Sequence, residues 1–91
     1  MAPRAFFVSL TLVALAGCAG EPATQCTSEP QSTWQDAEAF QQDLIEQGYQ
    51  INEFKITEGN CYEIYGFDPE QTKVEIYFDP VDGSVVKREE G

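Results

Sequence analysis

The spacing of apolar and polar residues divides the chain into four stretches. From Ala5 to Ala16 every position is apolar, small or a lone hydroxyl, with Arg4 before the run and Glu21-Pro22 soon after it. Twelve residues fall well short of the about 20 that span a hydrocarbon core. Ser9 and Thr11 give the run no polar face at a helical period, so it reads as a cleavable export signal. Ala19 to Ser32, AGEPATQCTSEPQS, has no hydrophobic period and the small, polar, proline-containing make-up of a linker. Thr33 to Gln47 brings Trp34, Ala37, Phe40 or Gln41, Leu44 and Ile45 to one face at steps of three and four, which predicts an amphipathic helix. Ser32 or Thr33 is placed to cap its start, with Gly48 as the left-handed stop.

After Gly48 the period shortens to two. Tyr49–Thr57, Cys61–Phe67 and Lys73–Phe78 read as strands, and Ser84–Lys87 as a short fourth. The intervening Glu58-Gly59-Asn60, Asp68 to Thr72 and Asp79 to Gly83 carry turn residues and are short enough for antiparallel hairpins. The expected fold class is therefore α+β: one N-terminal helix packed on a three- to four-stranded antiparallel sheet. Val74, Ile76 and Phe78 should face the helix, leaving Lys73, Glu75 and Tyr77 outward. The strand before it is ambiguous, because Tyr62, Ile64 and Gly66 share one side while Cys61, Glu63 and Tyr65 share the other. If Cys61 points outward with Glu63, anything tied to Cys61 must cross the open face of the sheet.

Leu15-Ala16-Gly17-Cys18 resembles the lipobox of bacterial lipoproteins. The resemblance implies cleavage between Gly17 and Cys18, diacylation of the Cys18 thiol and attachment to membrane lipid. Ala19 after the cysteine suggests the outer membrane where there are two, with the domain in the periplasm or at the cell surface. The competing reading is ordinary cleavage after Ala16 or Ala19 that frees a periplasmic protein. On the lipid reading the chain divides into a signal peptide at 1–17, a linker at 18–32 and a domain at 33–91. Using Cys18 for lipid leaves Cys26 and Cys61 as an even pair in an oxidising compartment, and a disulfide is the economical assignment. A metal site would want more ligands than two distant thiols, and a redox pair would want a CxxC.

Charge and composition narrow the function. Five Lys and Arg against sixteen Asp and Glu give a formal charge of −11, which excludes an electrostatic nucleic-acid footprint and favours a basic partner. The absence of His removes the imidazole base, Ser-His and Cys-His pairs and His-ligated metals. Glu75, Asp79 and Asp82 lie close in sequence but lack the alternating oxygen ladder of a Ca²⁺ loop, and Asp beside Pro or Gly is more simply a turn former. Neither a cofactor, nor a metal site, nor an enzyme is the expectation. Of the aromatic residues, Trp34 is assigned to the core, and Tyr65 and Tyr77 form a candidate contact patch.

Trp34, Gln47-Gly48-Tyr49, the string Asn60-Cys61-Tyr62-Glu63-Ile64-Tyr65-Gly66, and Lys73-Val74-Glu75-Ile76-Tyr77-Phe78-Asp79-Pro80 with Asp82-Gly83 together resemble small exported PepSY-domain proteins. The resemblance runs from residue 34 to about 88. It implies a helix packed on an antiparallel sheet and a role in peptide or protein binding or peptidase inhibition, since such domains occur in propeptides of thermolysin-type peptidases and in envelope proteins. The resulting expectation is a non-enzymatic, lipid-anchored envelope module that binds a protein or peptide at an exposed sheet face or edge, where an extended peptide can add as a further strand with Tyr65 and Tyr77 in contact, and that modulates a peptidase. The alternative is an acidic structural or cation-buffering surface lipoprotein without a specific site.

Overall fold

The computed structural model describes residues 23–91. The expected export signal, Cys18 and the first residues of the expected linker lie outside them. Helix α1 spans Ala37–Glu46 and starts later than the periodicity predicts, because Asp36 rather than Ser32 or Thr33 caps it. The Asp36 carboxylate accepts from the Ala39 N–H at 3.0 Å, satisfying a donor that the first turn leaves free. Ser32 and Thr33 instead lie in a single 3₁₀ turn, Gln31–Thr33. The backbone between turn and helix is committed elsewhere: the Gln35 N–H donates to Pro80 O at 2.8 Å, and the Tyr62 hydroxyl donates to Gln35 O. A helix begun at Thr33 would have needed the Gln35 carbonyl for the Ala39 N–H. At the other end Gly48, at φ +107, lets the Tyr49 N–H reach Leu44 O and its own N–H reach Ile45 O, both at 3.0 Å. This is the glycine stop that the sequence predicts.

Strands β1 (Gln50–Ile56), β2 (Tyr62–Phe67), β3 (Lys73–Phe78) and β4 (Val85–Glu90) form one antiparallel sheet in the order β1-β2-β3-β4. The first two five-residue connections are closed by the Thr57 N–H donating to Cys61 O and the Asp68 N–H to Thr72 O, and the last residue of each enclosed turn is left-handed, Asn60 at φ 62 and Gln71 at φ 69. The fourth strand outruns its expected end at Lys87, since Arg88, Glu89 and Glu90 continue to pair with β3. Those residues lack strand propensity and are drafted by a neighbour already in place.

One irregularity places the core. Ile51 and Phe54 are three apart, so a regular strand would send them to opposite faces. A bulge between Ile51 and Glu53 restores the count, and Ile51 sits opposite Gly66 while Phe54 sits opposite Ile64. The bulged chain lies so close to Gly66 that a Cβ there would fall 1.9 Å from Gln50 O.

The core comprises Phe40 and Leu44 from α1, Tyr62 and Ile64 from β2, and Val74, Ile76 and Phe78 from β3, with Trp34, Ala37, Tyr49, Ile51 and Phe54 around it. Tyr62 is its centre: the rings of Trp34, Phe40 and Phe54 lie 5.7, 5.1 and 5.2 Å from its own. Each such buried aromatic contributes on the order of 2 kcal/mol through area removed from water. Ile45 does not join them. It remains 49% exposed, because the stripe set by Phe40 and Leu44 turns the neighbouring position about 100° toward solvent.

Candidate functional site

The face of the sheet opposite α1 is built from alternate residues of all four strands. Register sets Lys55, Glu63, Tyr77 and Lys87 in one row, and Glu53, Tyr65, Glu75 and Glu89 in the next. Tyr65 and Tyr77, the candidate contact residues, therefore sit diagonally across β2 and β3, each half-buried. The Tyr77 hydroxyl donates to Glu75 Oε2 at 2.8 Å. Lys55 Nζ stands 5.4 Å from the centre of the Tyr65 ring and Lys87 Nζ 5.8 Å from that of Tyr77, within cation–π range. Lys87 also pairs with Glu89 at 3.2 Å.

Glu63 behaves unlike a residue on an open face: it is only 3% exposed. The cause is the segment before the helix. Cys26 is bonded to Cys61, its N–H donates to Gly59 O at 2.9 Å, and Asn60 Nδ2 donates to Thr27 O at 3.3 Å. Gly59 has no side chain to hold the segment off; a Cβ there would lie 1.8 Å from Thr24 O. Tied down in this way, Ala23 and Thr24 form one wall of a groove of ≈ 430 Å³ that is also lined by Lys55, Glu63, Tyr65 and Tyr77. This segment, a leash pinned at Cys26, crosses the β1–β2 end of the open face, the geometry that an outward Cys61 requires. Cys18 falls outside the described residues.

Two carboxyls in such surroundings cannot ionise alike. Burial, reinforced by Glu75, raises the pKa of Glu63. Glu75 is lowered, first by its hydrogen bond with Glu63 and further by the hydroxyl of Tyr77. The pair accordingly favours a proton on Glu63 facing a Glu75 carboxylate. Both phenols are held in the neutral form, Tyr65 chiefly by Glu63 and Tyr77 chiefly by Glu75. Among the described residues Glu63 Oε2 is the buried side-chain polar atom without a hydrogen-bond partner.

Glu75, Asp79 and Asp82 are not brought together. Asp79 Oδ1 accepts from the Val81 N–H at 2.8 Å, and Asp82 Oδ1 from the N–H and hydroxyl of Ser84 at 2.9 and 2.8 Å. Both aspartates are turn formers. Among the described residues no three His, Cys, Asp or Glu side chains are placed to hold a metal ion.

Sequence reasoning missed a polar clasp at the far end of the sheet. Asp68, 6% exposed, accepts from the Glu70 and Thr72 N–H groups at 2.9 Å and from Arg88 Nη2 at 2.7 Å. Arg88 first and the Thr72 N–H second hold its carboxyl below the usual range. The turn composition flagged Asp68, but nothing in a one-dimensional pattern links it to a residue 20 positions away.

Among the described residues, one α-helix laid across one face of a four-stranded antiparallel meander, with the other face polar and aromatic, defines an α+β module. Residues 4–89 match the PepSY_2 family model, described as peptidase propeptide and YPEB domain, and the chain belongs to that family. A search of curated proteins and a search of solved structures each found no match.

Proposed function

We propose that this domain is a non-enzymatic, lipid-anchored envelope module that binds a protein or peptide on the open face of its sheet and modulates a peptidase as propeptide domains do. The family description supplies the peptidase connection. The observation that carries the binding reading is the groove walled by the leash and floored by Glu63, Tyr65 and Tyr77, an amphipathic surface of the kind that interfaces favour.

The face serves better than the edges. The β1 edge is interrupted by its bulge, and β4 carries Lys87, Arg88, Glu89 and Glu90 in succession. Bulges and charges are the devices by which edge strands resist pairing with a further strand. Acylation at Cys18 would add the anchor. Seven residues separate Cys18 from Cys26, so a flexible connection reaches only about 15 Å and keeps the face close to the membrane.

Photo-crosslinking from position 77, with exposed Glu38 on α1 as the control position, tests the reading in envelope membranes. A defined protein trapped from position 77 and not from position 38, together with slower cleavage by a thermolysin-type peptidase when the domain is present, is the expected result. Equal trapping from both positions would remove the open face as the binding surface.

A further inference from the structure

We infer that the groove beside the leash is a socket for one cationic side chain, arginine or lysine, presented by an extended segment of the partner protein. The inference rests on the open-face reading above and names the chemistry that this face selects. Its starting point is the unpartnered Oε2 of Glu63, which is 3% exposed and borders the groove. A buried carboxyl oxygen without a partner is costly to maintain; a cation arriving from outside would supply the missing donor and let Glu63 release to solvent the proton it otherwise keeps.

The charges of the face determine what kind of donor fits. Among the described residues no Lys or Arg forms an ion pair with Glu63 or Glu75: Lys55 stands over the Tyr65 ring, and Lys87 stands over the Tyr77 ring and pairs with Glu89, reaching Glu75 only as a charge at longer range. An anionic ligand would meet Glu63 and Glu75 in a chain of formal charge −11. A neutral donor would leave the pair's charge uncompensated. A guanidinium or ammonium group supplies both the missing hydrogen bond and the opposite charge, and charge-assisted bonds of this type are the strong ones. Tyr65 and Tyr77, which line the groove, offer apolar contact to the stem of such a side chain. A metal ion suits the socket less well, since the described residues do not assemble three metal-ligating side chains there.

The test uses nitrogen-15 spectra of the disulfide-bonded mature protein titrated with the peptide Ac-Gly-Val-Arg-Val-Gly-amide, its lysine counterpart, and its citrulline counterpart, which keeps the shape of arginine without the charge. The expected result is saturable shifts centred on the amides of Glu63 and Glu75 for the two cationic peptides, with citrulline bound about tenfold more weakly. Glu63→Gln, which cannot ionise to meet the cation, should weaken the arginine peptide about tenfold, while Glu89→Gln, the same substitution at an exposed site on the same face, changes it less than about twofold. Thermal unfolding of Glu63→Gln shows whether the variant is folded. Equal affinity for citrulline, or equal losses from the two substitutions, would overturn the socket. Trapping of a partner from position 77 that is undiminished by Glu63→Gln would also overturn it, while leaving the open-face reading intact.

Discussion

Breaking the Cys26–Cys61 bond should cost this domain most of its stability. The bond closes 35 residues, and the chain-entropy relation for a loop of that length gives about 13 cal/mol/K, or about 4 kcal/mol at 25 °C. A domain of this size holds about 5 kcal/mol in total, and its urea slope is about 1 kcal/mol/M. Reduction should therefore shift the unfolding midpoint down by about 3–4 M and leave a sizeable unfolded fraction in plain buffer. Trp34, the one tryptophan, reports the transition through its packing on Tyr62. Cys26→Ala/Cys61→Ala should unfold slightly earlier still, because Cys61 is fully buried and truncating it leaves a void. Where a folded fraction survives, the leash should exchange its amides freely and Glu63 should return toward an ordinary carboxyl pKa. A reduced protein that loses less than about 1 kcal/mol would refute the loop-closure account. Protection of Cys26 and Asn60 that outlasts reduction would show that hydrogen bonds, not the covalent link, hold the leash.

Three further outcomes follow from named contacts. Because the folded-state pKa of Glu63 lies above its usual value, the contribution of this group is full at low pH and is lost as pH rises through the folded value. Glu63→Gln should therefore be the more stable protein at pH 7, by about 1–2 kcal/mol, with the advantage gone near pH 4 in thermal unfolding. Asp68 is shifted the other way by Arg88, so its contribution is present above the ordinary Asp pKa and is lost on acidification. Arg88→Met should move the acid-unfolding midpoint to higher pH, and an unmoved midpoint would count against the clasp. Gly66→Ala places a methyl against Gln50 O and should cost about 2–3 kcal/mol in urea unfolding, through forced displacement of β1; a neutral substitution would mean that the β1 bulge yields easily.

The elements legible from sequence are those governed by local rules. Gly48 stops the helix, Asp79 and Asp82 make turns, and Lys73–Phe78 alternates as read, because each depends on neighbours within a few positions. The helix start was misplaced by four residues, since hydrogen bonds from Gln35 to Pro80 and from Tyr62 to Gln35 are invisible to a local pattern. The site was half legible for a more instructive reason. On β2 the burial runs through Tyr62, Glu63 and Ile64 without alternating, so both sides of the strand are covered. Period-two logic assumes one wet face, and the apolar alternation of Cys61–Phe67 blurs because Cys61 and Tyr65 share the side of Glu63. A strand that is ambiguous in this way, beside a cysteine whose partner lies in a proline-rich linker, implies a second covering layer. Here that layer is the leash. It turns an exposed glutamate into a buried one and a flat sheet into a groove, so the bond that stabilises the domain also shapes the surface proposed for binding.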